Sequence, residues 1–235
     1  FLLRHQFLQH NLLINLYCDC PEFRFEKDYL LSLITTNKYC TIENFLERID
    51  ILQTYVTEEF KQNFPEMYIR GLMILTELYA ESGKSKETKE SLQEVFRFFS
   101  TYSLSDKQIQ CYEYCFKMKA NAFYKVEIAT NYTRSAYEYF SQLNNIQYYS
   151  KYYLSALNHS ANKIVLGDFS DAYNILLKVH GNISNYHYIE SIHPDIWLNN
   201  LSISGYFAKQ FSAIDCANTL ENLIENFDEQ ADILL

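Results

Sequence analysis

The sequence predicts an all-α chain arranged as about five helical hairpins stacked into a solenoid. Three observations carry this. Apolar residues recur at i, i+3, i+4 and i+7 behind each of five candidate turns, the spacing of one helix face. Only 5 Gly and 3 Pro occur in 235 residues, too few sharp turns for a many-stranded β architecture. Hydrophobic residues make up 48% of the chain, enough to bury a sizeable core as one domain or as a stack of small units.

The opening stretch FLLRHQFLQHNLLINLY has helical spacing and ends at Cys18-Asp19-Cys20-Pro21, where proline interrupts it. Residues 1–20 are therefore assigned to a helix continuing from an upstream domain, and 21–235 to the helical repeats. The five turns are placed at Asn37-Lys38-Tyr39, Gly83-Lys84-Ser85, Thr130-Asn131-Tyr132, Gly167-Asp168-Phe169 and Lys209-Gln210-Phe211. Behind them the template reads Ile42, Phe45, Leu46, Ile49; Leu92, Val95, Phe96, Phe99; Ala136, Tyr139, Phe140, Leu143; Ala172, Ile175, Leu176, Val179; and Leu220, Leu223, Ile224, Phe227. In the third unit either Ser135 or Ala136 fits the close-packing position. The longest connection, His180 to Pro194, carries His180, His187 and His193 and reads as a polar surface loop.

The clearest hairpin is Tyr152 to Val179, with the small residues Ala156 and Ser160 before the Gly167-Asp168 turn and Ala172 after it. This order of small residues resembles a tetratricopeptide (TPR) unit, and the resemblance extends over roughly residues 23 to 228. Successive turns lie 37 to 47 residues apart, so these are elongated units beside the TPR period of about 34. The resemblance implies a right-handed solenoid whose concave groove binds a peptide or protein segment through side chains of each first helix. In that register these are Arg24, Lys27, Arg70, Met73, Glu77, Asn121, Lys125, Asn199 and Tyr206, with Glu94 on an outer helix as a reference position. The cations would draw an acidic segment, and the asparagines would hold its main chain.

Leu3-Arg4-His5 followed by Gln9 resembles the stretch that closes the winged-helix part of STAND-class signalling NTPases, just before their repeat arrays. That implies the ligand-sensing array of a larger bacterial signalling or defence protein. The alternatives are the peptide-sensing half of a quorum-sensing type transcription regulator and a plain TPR scaffold.

Several classes are disfavoured. A net charge of −9, with no Lys or Arg run, speaks against phosphate-backbone binding. Six cysteines without a regular framework and no signal peptide place the chain in a reducing cytoplasm, without disulfide, metal or cofactor. Arg4, His5 and His10 argue against a membrane span in the apolar opening. No phosphate-binding loop, nucleophile elbow or His-Glu-x-x-His helix occurs, so an enzyme is not expected. The excess of tyrosine, 21 residues, follows helical spacing and is assigned to seams between helices.

Overall fold

The computed structural model describes residues 20–36, 41–102, 107–143, 146–183, 194–218 and 221. Among these, every regular element is helical. In order they are α1 (Pro21–Thr36), α2 (Ile42–Gln53), α3 (Glu58–Asn63), α4 (Pro65–Glu81), α5 (Ser85–Thr101), α6 (Lys107–Met118), α7 (Val126–Gln142), α8 (Tyr149–Val165), α9 (Phe169–Ile183) and α10 (Pro194–Phe207). Short 3₁₀ turns at Ala120–Ala122 and Ile146–Tyr148 precede α7 and α8, and 213–218 is again helical. No described helix is long and apolar enough to cross a membrane. The opening segment, the first turn at 37–39 and the last apolar template from Leu220 to Phe227 lie outside the described residues.

The chain divides into two compact units, Phe1–Glu113 and Tyr114–Leu235. Local chemistry sets the helix ends in each. Thr41 and Asn44 form a reciprocal capping box on α2, Thr57 accepts from the Phe60 amide on α3, and Pro65 occupies the first turn of α4.

Three turns share one backbone device. Gly83 (φ 73°), Gly167 (φ 82°) and Lys209 (φ 58°) are left-handed, and each is followed by the same pair of closing bonds. Lys84 N–H donates to Tyr79 C=O (2.9 Å), Asp168 N–H to Lys163 C=O (2.8 Å) and Gln210 N–H to Gly205 C=O (2.8 Å), the Schellman pattern that satisfies the last carbonyls of a helix. The turns expected at 83, 167 and 209 are therefore present, the last with lysine where glycine is the usual choice.

The third turn is a correction. Thr130, Asn131 and Tyr132 lie inside α7, and the chain instead breaks at 119–125, around the 3₁₀ turn. The physical reason is that Ala129, Thr130, Thr133, Ala136 and Phe140 form one buried helical stripe. The hydroxyls of Thr130 and Thr133 donate back to Val126 and Thr130 carbonyls, so both can be buried in a helix. Ala136, not Ser135, is the fully buried position. Two smaller corrections follow. On α2 the buried residues are Ile49 and Leu52, while Ile42 is 68% exposed, because the stripe starts a turn later than the template. The expected loop at His180 is shorter, since α9 runs to Ile183 and α10 begins at Pro194; residues 184–193 lie outside the described residues.

In the first unit α4 packs against α1, α2, α3 and α5. Tyrosine hydroxyls stitch these helices, as expected of seam residues. Tyr55 donates to Asp28 Oδ2 (2.7 Å), Tyr68 to Glu94 Oε1 (3.2 Å) and Tyr112 to Glu66 Oε1 (2.8 Å), and Gln53 Nε2 donates to the Tyr79 hydroxyl (2.8 Å). Burial, assisted by the Glu66 carboxylate, pushes the Tyr112 phenol up to about 12, so these phenols remain donors at neutral pH. In the second unit the seams are stacked rings: Tyr114 on Tyr139 (3.9 Å), Tyr137 on Tyr152 (5.7 Å) and Tyr153 on Trp197 (4.7 Å).

Cys20, Cys111, Cys115 and Cys216 are thiols rather than half-cystines, and among the described residues no three His, Cys, Asp or Glu side chains are gathered to hold a metal ion. Thermal melts with chelator or with reductant are expected to match the untreated protein. A large drop in midpoint with either reagent would show a metal or disulfide contribution.

Candidate functional site

In the first unit, the expected groove residues sit on two packed helices. Arg24 on α1 is exposed and Lys27 is partly buried. Arg70 on α4 is committed to its own fold: Nη1 and Nη2 donate to the Glu26 carboxylate at 2.5 and 2.9 Å, and the guanidinium lies over the Tyr29 ring at 4.3 Å. Met73 and Glu77 are buried, contrary to a solvent-facing groove. The reason lies in α4 itself. Its sequence PEMYIRGLMILTELYAE is apolar nearly all round, and four helices enclose it, so it has little outward face left to line a channel. The outer reference position also differs from expectation. Glu94 accepts from Lys61 Nζ (2.8 Å) and Tyr68 and pairs with Arg97, which together hold its carboxyl below the usual range against the opposing effect of burial.

In the second unit, Asn121 and Lys125 are exposed, but they belong to the break before α7 and not to a first helix, a consequence of the displaced third turn. Lys125 is the residue preceding the first turn of α7. Asn199 is exposed on α10.

Tyr206 is different, because the structure assembles other aromatic rings around it. It is 42% exposed and packs edge-on to Phe207 (5.2 Å), which is 56% exposed and stacks on Phe169 (4.6 Å) at the start of α9. Beside them Phe211 meets Tyr173 edge-on (5.6 Å) and lies over Gly205, where a Cβ would come within 2.7 Å of its ring. The C-terminal end of α10, the start of α9 and the Lys209 turn thus present a ledge of contacting rings, one pair stacked and two edge-on. Sequence reading had used Phe169 and Phe211 only as landmarks of turns. Their shared position, third in each turn, was the available signal.

Beneath the surface of the same unit lies a polar cluster between α7 and α8. His159 is 3% exposed, with Nδ1 3.3 Å from Thr133 Oγ1, and Asn162 Nδ2 donates to that same oxygen at 3.1 Å. The imidazole stacks on Tyr137 (5.9 Å). Burial, with the charges of Arg134 and Lys163 and against that of Asp171, pushes its pKa down to about 4, so the ring is neutral at pH 7. On α10, Trp197 Nε1 and Ser202 Oγ are buried without a hydrogen-bond partner among the described residues.

No protein-family model, curated protein or solved structure matches this chain. What the arrangement can do chemically therefore rests on its own side chains. The ledge offers flat apolar area with the phenols of Tyr206 and Tyr173, suited to contact. The His159 cluster is sealed from solvent.

Proposed function

We propose that this chain is a protein- or peptide-binding module of helical hairpins, built as a right-handed solenoid of about five TPR-like units. In this reading it works in the cytoplasm as the ligand-sensing array of a larger signalling or defence protein of the STAND NTPase kind, and catalysis belongs to other parts of that protein. The observation that carries the binding role is the ledge. Scattered exposed apolar residues are ordinary, whereas contiguous aromatic rings left more than two-fifths open at Tyr206 and Phe207 are the residue type that dominates contact energies at interfaces. Arg70, held by Glu26, contributes to the fold, which leaves Arg24, Asn121, Lys125 and Asn199 as the exposed polar candidates of the expected groove set.

Selection of a phage-displayed peptide library on the chain tests this. Selected peptides are expected to lose at least about tenfold in affinity, about 1.4 kcal/mol, on Tyr206→Ser with Phe207→Ser. They are expected to keep their affinity on Lys86→Ala, an 83% exposed side chain of α5. Failure to select any peptide, or equal binding to both variants, would overturn the reading.

A further inference from the structure

The geometry points to an acid-sensitive joint in the second unit: protonation of His159 separates α7 from α8 while the helices of the first unit stay closed. His159 belongs to α8, and its ring is held by two α7 residues, Thr133 at Nδ1 and Tyr137 at its face. A protonated imidazole needs a counter-charge or water, and His159 is buried with Asp171 as the one carboxylate acting on it among the described residues. Arg134 on α7 and Lys163 on α8 both act on the ring as like charges. Asp171 on α9 is the opposing carboxylate, but Lys163 Nζ already takes it at 3.0 Å, along with Asp168 at 3.0 Å. The sequence of α10 contains no Lys, Arg or His, and its one carboxylate, Asp195, stands at the helix start. The other polar neighbours, Asn162 and Thr133, are bonded to each other. Parting α7 from α8 is the route by which water reaches the imidazolium.

The direction follows from linkage. The buried ring titrates at about 4 and an opened one near its ordinary 6.5, so the open state binds more protons between those limits and gains population as pH falls through them. The described residues of the first unit hold no matching group, since 20–113 contain no histidine. This joint is independent of the aromatic ledge and of any ligand.

Hydrogen exchange of the full chain, corrected for intrinsic rates, tests the proposal between pH 7 and 4.5. Amides of 129–140 and 153–162 are expected to lose tenfold or more in protection, while those of 69–79 keep theirs. His159→Gln, which retains polar groups but does not titrate, removes the loss. Arg134→Gln, an exposed change that lifts one repulsive charge, moves the loss to lower pH and reduces it at pH 5. An equal loss in both units, a loss that persists in His159→Gln, no shift in Arg134→Gln, or no loss at all would each overturn it.

Discussion

Phe25→Ala is expected to cost about 3 to 5 kcal/mol of stability, the range for emptying a buried phenylalanine site. The ring is fully buried on α1 and sits among Tyr29 (5.7 Å), Tyr55 (5.3 Å) and Phe60 (5.7 Å), with the Arg70 guanidinium 5.7 Å from its centre. Its far edge meets Gly71, where a Cβ would come within 3.1 Å of Cε2. Truncation therefore opens a cavity among rings that cannot all move in to fill it, and it removes one of the two aromatic faces beneath the Arg70–Glu26 pair. Urea unfolding at pH 7 measures the cost, and a loss below about 1 kcal/mol would show that the cluster collapses to fill the space. Gly71→Ala supplies a check with the opposite naive sign. Helix propensity alone favours alanine by about 1 kcal/mol. The buried Phe25 edge cannot yield easily, so the change is expected to destabilise the parent and to be better tolerated once Phe25 is Leu. A double-mutant cycle reads that coupling directly.

Ala172→Leu is the second large effect, at about 1 to 3 kcal/mol. Ala172 opens the stripe of α9 that continues through Leu176 and Val179, all fully buried, and the facing hairpin partner α8 likewise buries Ala156 and Ser160 completely. The Gly167 turn holds the two helices close, so three added carbons at this fully buried site must displace the neighbouring helix or strain their own rotamer. Asn174→Leu, one turn position away on the exposed side of α9, is the control and should change stability little. A parent-like denaturation midpoint for Ala172→Leu would mean that the hairpin packs in another register.

These sites were legible in the sequence to different degrees. Ala172 could be read directly, because a glycine turn and a 3.6-residue stripe are both local signals, and the same signals located the turn at 83; the turn at Lys209, without a glycine, was marked only by its place between helical patterns. Thr130-Asn131-Tyr132 misled because threonine and asparagine serve turns as well as helices, and for Thr130 the choice depends on whether the hydroxyl finds a carbonyl within its own helix, which spacing does not show. Met73 and Glu77 misled for a tertiary reason. A template for two-helix units places them outward, but α4 is wrapped by four neighbours, and only the three-dimensional arrangement reveals that. The tyrosine seams were legible as seams, whereas the pairing of Tyr68 with Glu94 or Tyr114 with Tyr139 spans distances in sequence that no periodicity encodes. The ledge was half visible: Tyr206 was in the expected groove set, and its stacked neighbours were not.

One feature of the fold bears on how the chain reaches its structure. Among the described residues most helix packing joins elements that are next or next but one in sequence, and α1 also reaches α4. Contact order is correspondingly low, and the entropic penalty of loop closure is met in short steps, which places such a chain among fast folders. During synthesis α8 and α9 can close on each other as soon as the segment ending at Ile183 has left the ribosome, without waiting for a distant strand or helix to arrive. Apolar stripes such as that of α9 are then exposed only briefly, so a newly made chain this rich in aromatic residues has little time in which to aggregate.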